Sequence, residues 1–265
     1  ALLQDAGLDV MVGGAYAMFH YTGVVRWTKD LDIFLPREQE ARAREVLAAA
    51  GFRTEVREPL WLSKAWWGEA LIDLIYSSGN GIAVVDPEWV RHARPGEVLG
   101  LQARMVPPEE MIWSKGFVQE RERWDGADVN HLIRSCGPSL DWKRLLRRFD
   151  EHWEILLAHL LLYSYSYPHD REQVPRWVWR RLLTRAGRMR AAAENGGPKL
   201  CRGTLLSRVQ YSHDVGPLGY QDAREVEVPG YLADASGLEP VPLLKPTNPD
   251  APSTVPPMVA AVPEV

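Results

Sequence analysis

Two acidic residues at the head of a strand constrain this chain more than any other feature. In the run DLDIFL, Asp30 and Asp32 stand two positions apart immediately before an apolar stretch. Strand side chains alternate between faces, so both carboxylates are predicted to leave one face of a sheet at its edge. Like charges held that close are costly unless a cation or a proton sits between them. A divalent ion that prefers oxygen meets the need. Magnesium is commonly held by one or two carboxylates together with substrate phosphates, which suits this pair better than zinc or iron chemistry does.

The flanking residues extend the pattern. LDVMV at 8–12 reads as a short buried strand, Gly13-Gly14 as a turn, and Ala15 to Tyr21 as a helix whose start faces that turn. A strand, diglycine and helix junction brings backbone N–H groups and a helix N-terminus towards a bound phosphate chain. Arg26, Thr28 and Lys29 lie in the loop leading to the carboxylates, where Arg26 would neutralise phosphate oxygens or balance the acidic pocket. His20 reads either as a phosphate neighbour or as a hydrogen-bonded surface histidine. Further on, ALIDLIYSS at 70–78 carries a single charge, Asp73, with Leu71, Asp73 and Ile75 on one face and Ile72, Leu74 and Tyr76 on the other. A lone acid in an apolar strand needs a partner, and a metal shared with Asp30 and Asp32 would be one.

GGAYAMFHYTGVVRWTKDLDIF, followed in order by Asp73, resembles the DNA-polymerase-beta-like nucleotidyltransferase superfamily. Within it the likeness is to small bacterial members, including AbiEii-type toxins of toxin-antitoxin systems and some antibiotic nucleotidyltransferases. The resemblance implies a sheet with a GG or GS turn, a DxD pair on the next strand and a third Asp on a later one. It further implies two magnesium ions holding the triphosphate of an NTP. It covers roughly the first 80 residues, and Gly14 stands where many members carry Ser. A later segment resembles the part of the superfamily in which a helix supplies a Lys before an R, D, D pattern. In this chain that is Lys115, Arg123, Asp125 and Asp128.

Length and charge bound the alternatives. A chain of 265 residues holds one large domain or two modest ones, and 31 Lys and Arg against 35 Asp and Glu provide no global basic field to advertise nucleic acid. Cys136 and Cys201 form neither a disulfide framework nor a metal-ligand spacing, and together with the missing apolar run of 18 residues they predict a cytoplasmic protein without a membrane span. ALLQDAG opens without Met, as expected of a segment that begins inside a first helix of a longer product.

The rest of the chain divides by pattern. Glu38 to Ala50 is a helix stopped by Gly51, Phe52 to Val56 a strand, and Trp61 to Trp67 a strand or the lip of a pocket. SSGNG is turn chemistry. A helix from Pro87 to His92 and a strand near Ala103 to Val106 close a catalytic domain at 1–106. Residues 107–197 are predicted to be a helical domain. It starts with one long helix over 107–137 and continues with helices at 140–149 and 153–163, the last apolar over Ile155 to Leu162 with His159 as a core histidine. Lys143, Arg144, Arg147 and Arg148 read as a basic patch for a phosphate-bearing acceptor or as a solvated face. The Trp- and Arg-rich run at 176–190 reads as a nucleic-acid surface or as an amphipathic helix with its Trp face buried. Residues 198–265 form an irregular extension, proline-rich from about 226. Cys201, His213, Asp214 and Asp222 match no zinc spacing.

The fold expected is therefore α+β, a nucleotidyltransferase-like mixed sheet with flanking helices, then a helical domain and a proline-rich segment. The expected reaction is magnesium-dependent transfer of an NMP from an NTP to a hydroxyl of tRNA, a protein or a small molecule, with release of pyrophosphate. Asp30, Asp32 and Asp73 would be the metal ligands, with Asp73 or the Asp125 and Asp128 pair assisting deprotonation, unless that pair, Asp128 included, only caps and anchors a helix. Gly13, Gly14, Arg26, Thr28 and Lys115 would hold the nucleotide. A catalytically inactive nucleotide-binding or toxin-antitoxin component with an antitoxin partner stays open, as does a metal-dependent phosphohydrolase.

Overall fold

A computed structural model describes residues 1–192, 199–228 and 230–231. The proline-rich segment beyond 231 lies outside the described residues, and so do the strap and tail readings of it.

The sheet has seven strands: β1 Met11–Val12, β2 Asp30–Phe34, β3 Arg53–Glu58, β4 Leu62–Trp67, β5 Ala70–Ile75, β6 Arg94–Val98 and β7 Leu101–Met105, in the order β3-β4-β5-β2-β1-β7-β6. β2 runs parallel to β5 and antiparallel to β1, so the sheet is mixed, as the α+β reading expects. Both edges are blunted. β3 reads RTEVRE, whose charges discourage strand addition, and β6 carries Pro95, which cannot donate to a ladder.

Short helices flank the first strands: α1 Leu2–Asp5, α2 Gly14–Thr22, α3 Glu40–Ala49 and α4 Pro87–His92. α3 covers the face that carries Ser63 and Ala65, where Ser63 donates to Glu40 and Ala43 and Leu47 are buried. Asp86 caps α4, accepting from the backbone of Glu88 at 2.9 Å and Trp89 at 3.3 Å. It thereby fixes Trp89, fully buried, against the Phe34 ring.

The sheet is followed by α5 Pro108–Gly116, α6 Gly126–Cys136, α7 Trp142–Phe149, α8 Trp153–Ser166 and α9 Arg176–Ala192. A two-stranded piece, β8 Leu200–Cys201 with β9 Gln221–Asp222, and the one-turn helix α10 Ala223–Glu227 complete the described chain. One contiguous set of buried apolar side chains runs from Leu3 to Val228 and includes all of these layers.

Four expectations need correction. The strand expected at 8–12 is hydrogen-bonded only at Met11 and Val12, because the Val10 N–H turns back to the Leu8 carbonyl at 3.0 Å. The single helix expected at 107–137 is two helices. The polar stretch after Gly116 has no apolar stripe to bury, and it closes instead as a tight turn with Glu120 N–H donating to Arg123 O at 2.8 Å. The apolar run at 155–162 does not all face inward: Leu156, Leu160 and Tyr163 are buried, while Leu161 is 53% exposed, since a helix buries one stripe at i, i+3 and i+4. His159 is indeed a core histidine, its Nε2 2.8 Å from the Gly116 carbonyl oxygen.

The basic patch at 143–148 is the fourth. Arg144 and Arg148 turn into the core, where Arg144 pairs with Glu109 and Glu110, and Arg148 with Glu110 and Asp86. Glu109 and Glu110 are among the most buried residues of the chain, so these arginines serve α5 and not an acceptor. In the 176–190 helix, Val178 and Leu182 are buried and Trp177 and Trp179 pack half-buried against the same core. Asp222 is spent on capping α10 and on an ion pair with Arg224.

Candidate active site

The site begins with the diglycine. β1 ends at Val12, Gly13 donates its N–H to the Asp32 carbonyl at 2.9 Å, and α2 starts at Gly14. A methyl group on Gly13 would fall 2.3 Å from the Phe34 ring, and one on Gly14 would fall 1.6 Å from Asp32 Oδ2. Gly14 also has φ +53°, which disfavours any side chain. The glycine pair therefore exists to let one face of β2, carrying Asp32 and Phe34, lie directly on the start of α2.

Asp30, Asp32 and Phe34 share that face by strand alternation. The parallel partner β5 pairs Asp32 with Asp73 in register, so the third acid stands directly across from the second. The three carboxylates predicted to share a face do so. Their mutual repulsion is visible in Asp32, whose carboxyl is pushed up to about 6 by burial first and by Asp30 and Asp73 after it. The Asp32 carboxylate accepts no hydrogen bond among the described residues and lines a cleft of about 520 Å³.

The other two acids have protein partners. Thr28 donates its hydroxyl to Asp30 Oδ1 at 2.6 Å, which places it beside the metal-ligand candidates. Lys64, on β4 opposite Asp73, donates to both of its oxygens at 2.8 and 3.1 Å. Burial still raises the Asp73 carboxyl, with Lys64 opposing the shift. Among the described residues no three His, Cys, Asp or Glu side chains converge as a metal-binding group. The donor set left for an ion is the Asp30 and Asp32 pair, oxygen only and one of them unpartnered, which fits magnesium completed by substrate phosphates.

Facing the acids is a cationic wall. Lys115, at the end of α5, lies close enough to Asp32 to lower its carboxyl, and donates to Asp125 at 2.9 Å and pairs with Asp128 at 2.8 Å. Arg123 holds Asp125 in a two-pronged pair at 3.2 and 3.1 Å, and Arg26 pairs with Asp128. Asp125 and Asp128, at the start of α6, thus clamp Lys115 and the loop arginines in place. His20 does not reach the diglycine: it sits in the last turn of α2, packed edge-on to Tyr21 and beside Gly96.

Sequence reasoning passed over Lys64 and most of the far wall of the cleft. The cue to Lys64 was present, because a two-residue turn at Gly68 and Glu69 pairs Trp67 with Ala70 and so carries Lys64 to Asp73. The far wall joins two distant stretches; Trp61 lies in the run whose alternative reading was the lip of a pocket, while Asn80, Arg208 and Tyr231 had no local cue. Asn80 ties them by donating to the Leu205 carbonyl at 2.8 Å.

In fold the chain resembles solved nucleotidyltransferases. It is 19% identical to the antibiotic-resistance factor ANT(2'')-Ia, covering 60% of this chain and 90% of that one with a TM-score of 0.42. A nucleotidyltransferase-like protein from Paracoccidioides brasiliensis is 16% identical over 65% of this chain and 88% of its own, with a TM-score of 0.43. The lincosamide antibiotic adenylyltransferase LnuA is 14% identical over 49% and 89%, with a TM-score of 0.36. No family model and no curated protein matches the sequence.

Proposed function

We propose that this protein is a magnesium-dependent nucleotidyltransferase that moves an NMP from an NTP to an acceptor hydroxyl and releases pyrophosphate. The observation that carries the reading is Asp32: a half-buried, unpartnered carboxylate seated on a diglycine helix start, with Asp30 and Asp73 on the same face. Asp30 and Asp32 would hold the ion, which supplies Lewis-acid neutralisation of charge on the reacting phosphate. α2 begins at Gly14, against Asp32, and the N–H groups of its first turn would favour a phosphate chain there. Lys115 and Arg123 neutralise the triphosphate, held in position by Asp125 and Asp128. Asp73, held in place by the Lys64 ammonium, is the candidate to receive the acceptor hydroxyl proton. The acceptor enters along the far wall, and a cleft of this size admits a small polyhydroxylated molecule or one end of a larger acceptor.

Incubation with each α-labelled NTP, Mg²⁺ and a cell extract or aminoglycoside-like hydroxyl acceptors tests the reading. Transfer of label with release of pyrophosphate is expected, and Asp32→Asn loses it by orders of magnitude while keeping its circular dichroism and melting behaviour. Unchanged transfer in that variant removes the reading. The capture of both Asp73 oxygens by Lys64 favours a second reading, a nucleotide-binding protein without turnover. Calorimetric binding of Mg-NTP with no pyrophosphate from any acceptor would select it.

A further inference from the structure

The sequence expectation of two ions needs Asp73 as a free ligand, and the structure gives that residue a different cation. Across β4, β5 and β2 a single row on one face reads Lys64, Asp73, Asp32, fixed by the antiparallel and parallel registers. Lys64 Nζ lies 2.8 Å from Asp73 Oδ1 and 3.1 Å from Oδ2, spanning the carboxylate. Both side chains are largely covered, at 21% and 11% exposure, so the contact is only weakly screened by solvent. Glu55, the residue across from Lys64 on β3, is engaged with Arg53 and Arg57 and makes no ion pair with the ammonium among the described residues. Lys115, on the facing wall, is held by Asp125 and Asp128.

A second divalent ion on Asp73 would have to approach its oxygens to about 2.1 Å while a fixed ammonium spans both of them. Two centres of like charge so close repel strongly in a partly buried site.

We propose that the Lys64 ammonium takes the place of a second divalent ion, so that this centre binds a single ion, on Asp30 and Asp32. The inference rests on the nucleotidyltransferase reading and narrows it from two ions to one. Lys64 is a positioning residue in this scheme, supplying fixed positive charge at Asp73 where a labile ion would otherwise be recruited.

Titration of the full chain with Mn²⁺, read by the electron paramagnetic resonance of the free aqua ion, tests it. One bound Mn²⁺ per chain is expected for the wild type and for Asp73→Asn, because Asp73 is not a ligand. Two are expected for Lys64→Met, which keeps the aliphatic stem and frees Asp73. Two ions in the wild type, loss of the single ion in Asp73→Asn, or one ion in a Lys64→Met chain with native circular dichroism would each overturn the inference. If Lys64→Met does not fold, the wild-type and Asp73→Asn counts decide. No bound Mn²⁺ in the wild type, with or without α,β-methylene ATP, would remove the nucleotidyltransferase reading as well, whereas two ions in the wild type leave that reading standing.

Discussion

At the scale of single residues, the site is a contest between burial and charge that the glycines make possible. Gly14 is the sharpest case. Gly14→Ala forces a side chain into φ +53°, costing about 1–2 kcal/mol, and sets its methyl against the Asp32 carboxylate. The variant is expected to melt lower than wild type and to lose transfer activity, as a thermal melt and a pyrophosphate assay would show. Asp32 itself carries a pH signature. Its carboxyl is pushed up to about 6, above the unfolded value, so folding favours the protonated form. The stability this contributes is complete below the ordinary carboxylate range and is lost as pH rises through about 6, amounting to roughly 3 kcal/mol. In the absence of divalent ions the chain is expected to melt lower at pH 8 than at pH 5, with a flatter profile in Asp32→Asn. Added Mg²⁺ should raise the melting temperature at pH 8 and have little effect at pH 5, where the ligand is protonated. A wild-type profile that does not differ from that of Asp32→Asn would contradict the placement of Asp32 in a crowded acidic face.

At the scale of elements, α5 is the hinge between fold and chemistry. Its C-terminal end delivers Lys115 to the acids, and its N-terminal end is anchored by Glu109 and Glu110 to Arg144 and Arg148 of α7. Asp86 extends this network to the cap of α4. Breaking such a buried network from one side leaves uncompensated charge. Arg144→Leu is expected to lower unfolding free energy by about 3–5 kcal/mol, measurable by urea denaturation. Arg144→Leu combined with Glu109→Leu should recover much of the loss, because the buried carboxylate is removed with its partner. Equal losses in the single and double variants would mean that packing, and not charge, sets the cost. The network also explains how a basic run read as an acceptor patch or a solvated face came to serve the core: α7 places Arg144 and Arg148 on the same side as Leu145 and Phe149.

At the scale of the whole molecule, the cleft exists because the chain returns to the sheet after α9. Leu205, Ala223 and Val228 are buried in the common core, Val228 lies against Gly81, and Arg202 pairs with Glu227. A chain ending at residue 198 is expected to melt well below the full chain, since each buried aliphatic side chain of this kind contributes about 1.5–3 kcal/mol. It should also lose the far wall of the cleft, so acceptor KM should rise more than nucleotide KM. A truncated chain as stable as the full one would show that this segment rests on the surface without supporting it.

The residues proposed to carry the chemistry were legible in the linear sequence because their cues are local. A diglycine, a D-x-D strand head and an acid alone in an apolar strand each follow from alternation and from the cost of burying charge, and the sheet brought Asp30, Asp32 and Asp73 to one face as alternation requires. Gly51 after α3 likewise marked a helix end that was found where expected, and the helix read over Pro87 to His92 has those bounds, with the Asp86 cap supplied by the structure. What the partners of those acids are was decided only in three dimensions. That Asp73 faces Lys64, that Lys115 is clamped by Asp125 and Asp128, and that Arg144 lies in the core are consequences of register and helix packing, which join residues far apart in the chain. Local pattern sets which groups are costly to bury. The tertiary fold selects the countercharge that makes each burial tolerable.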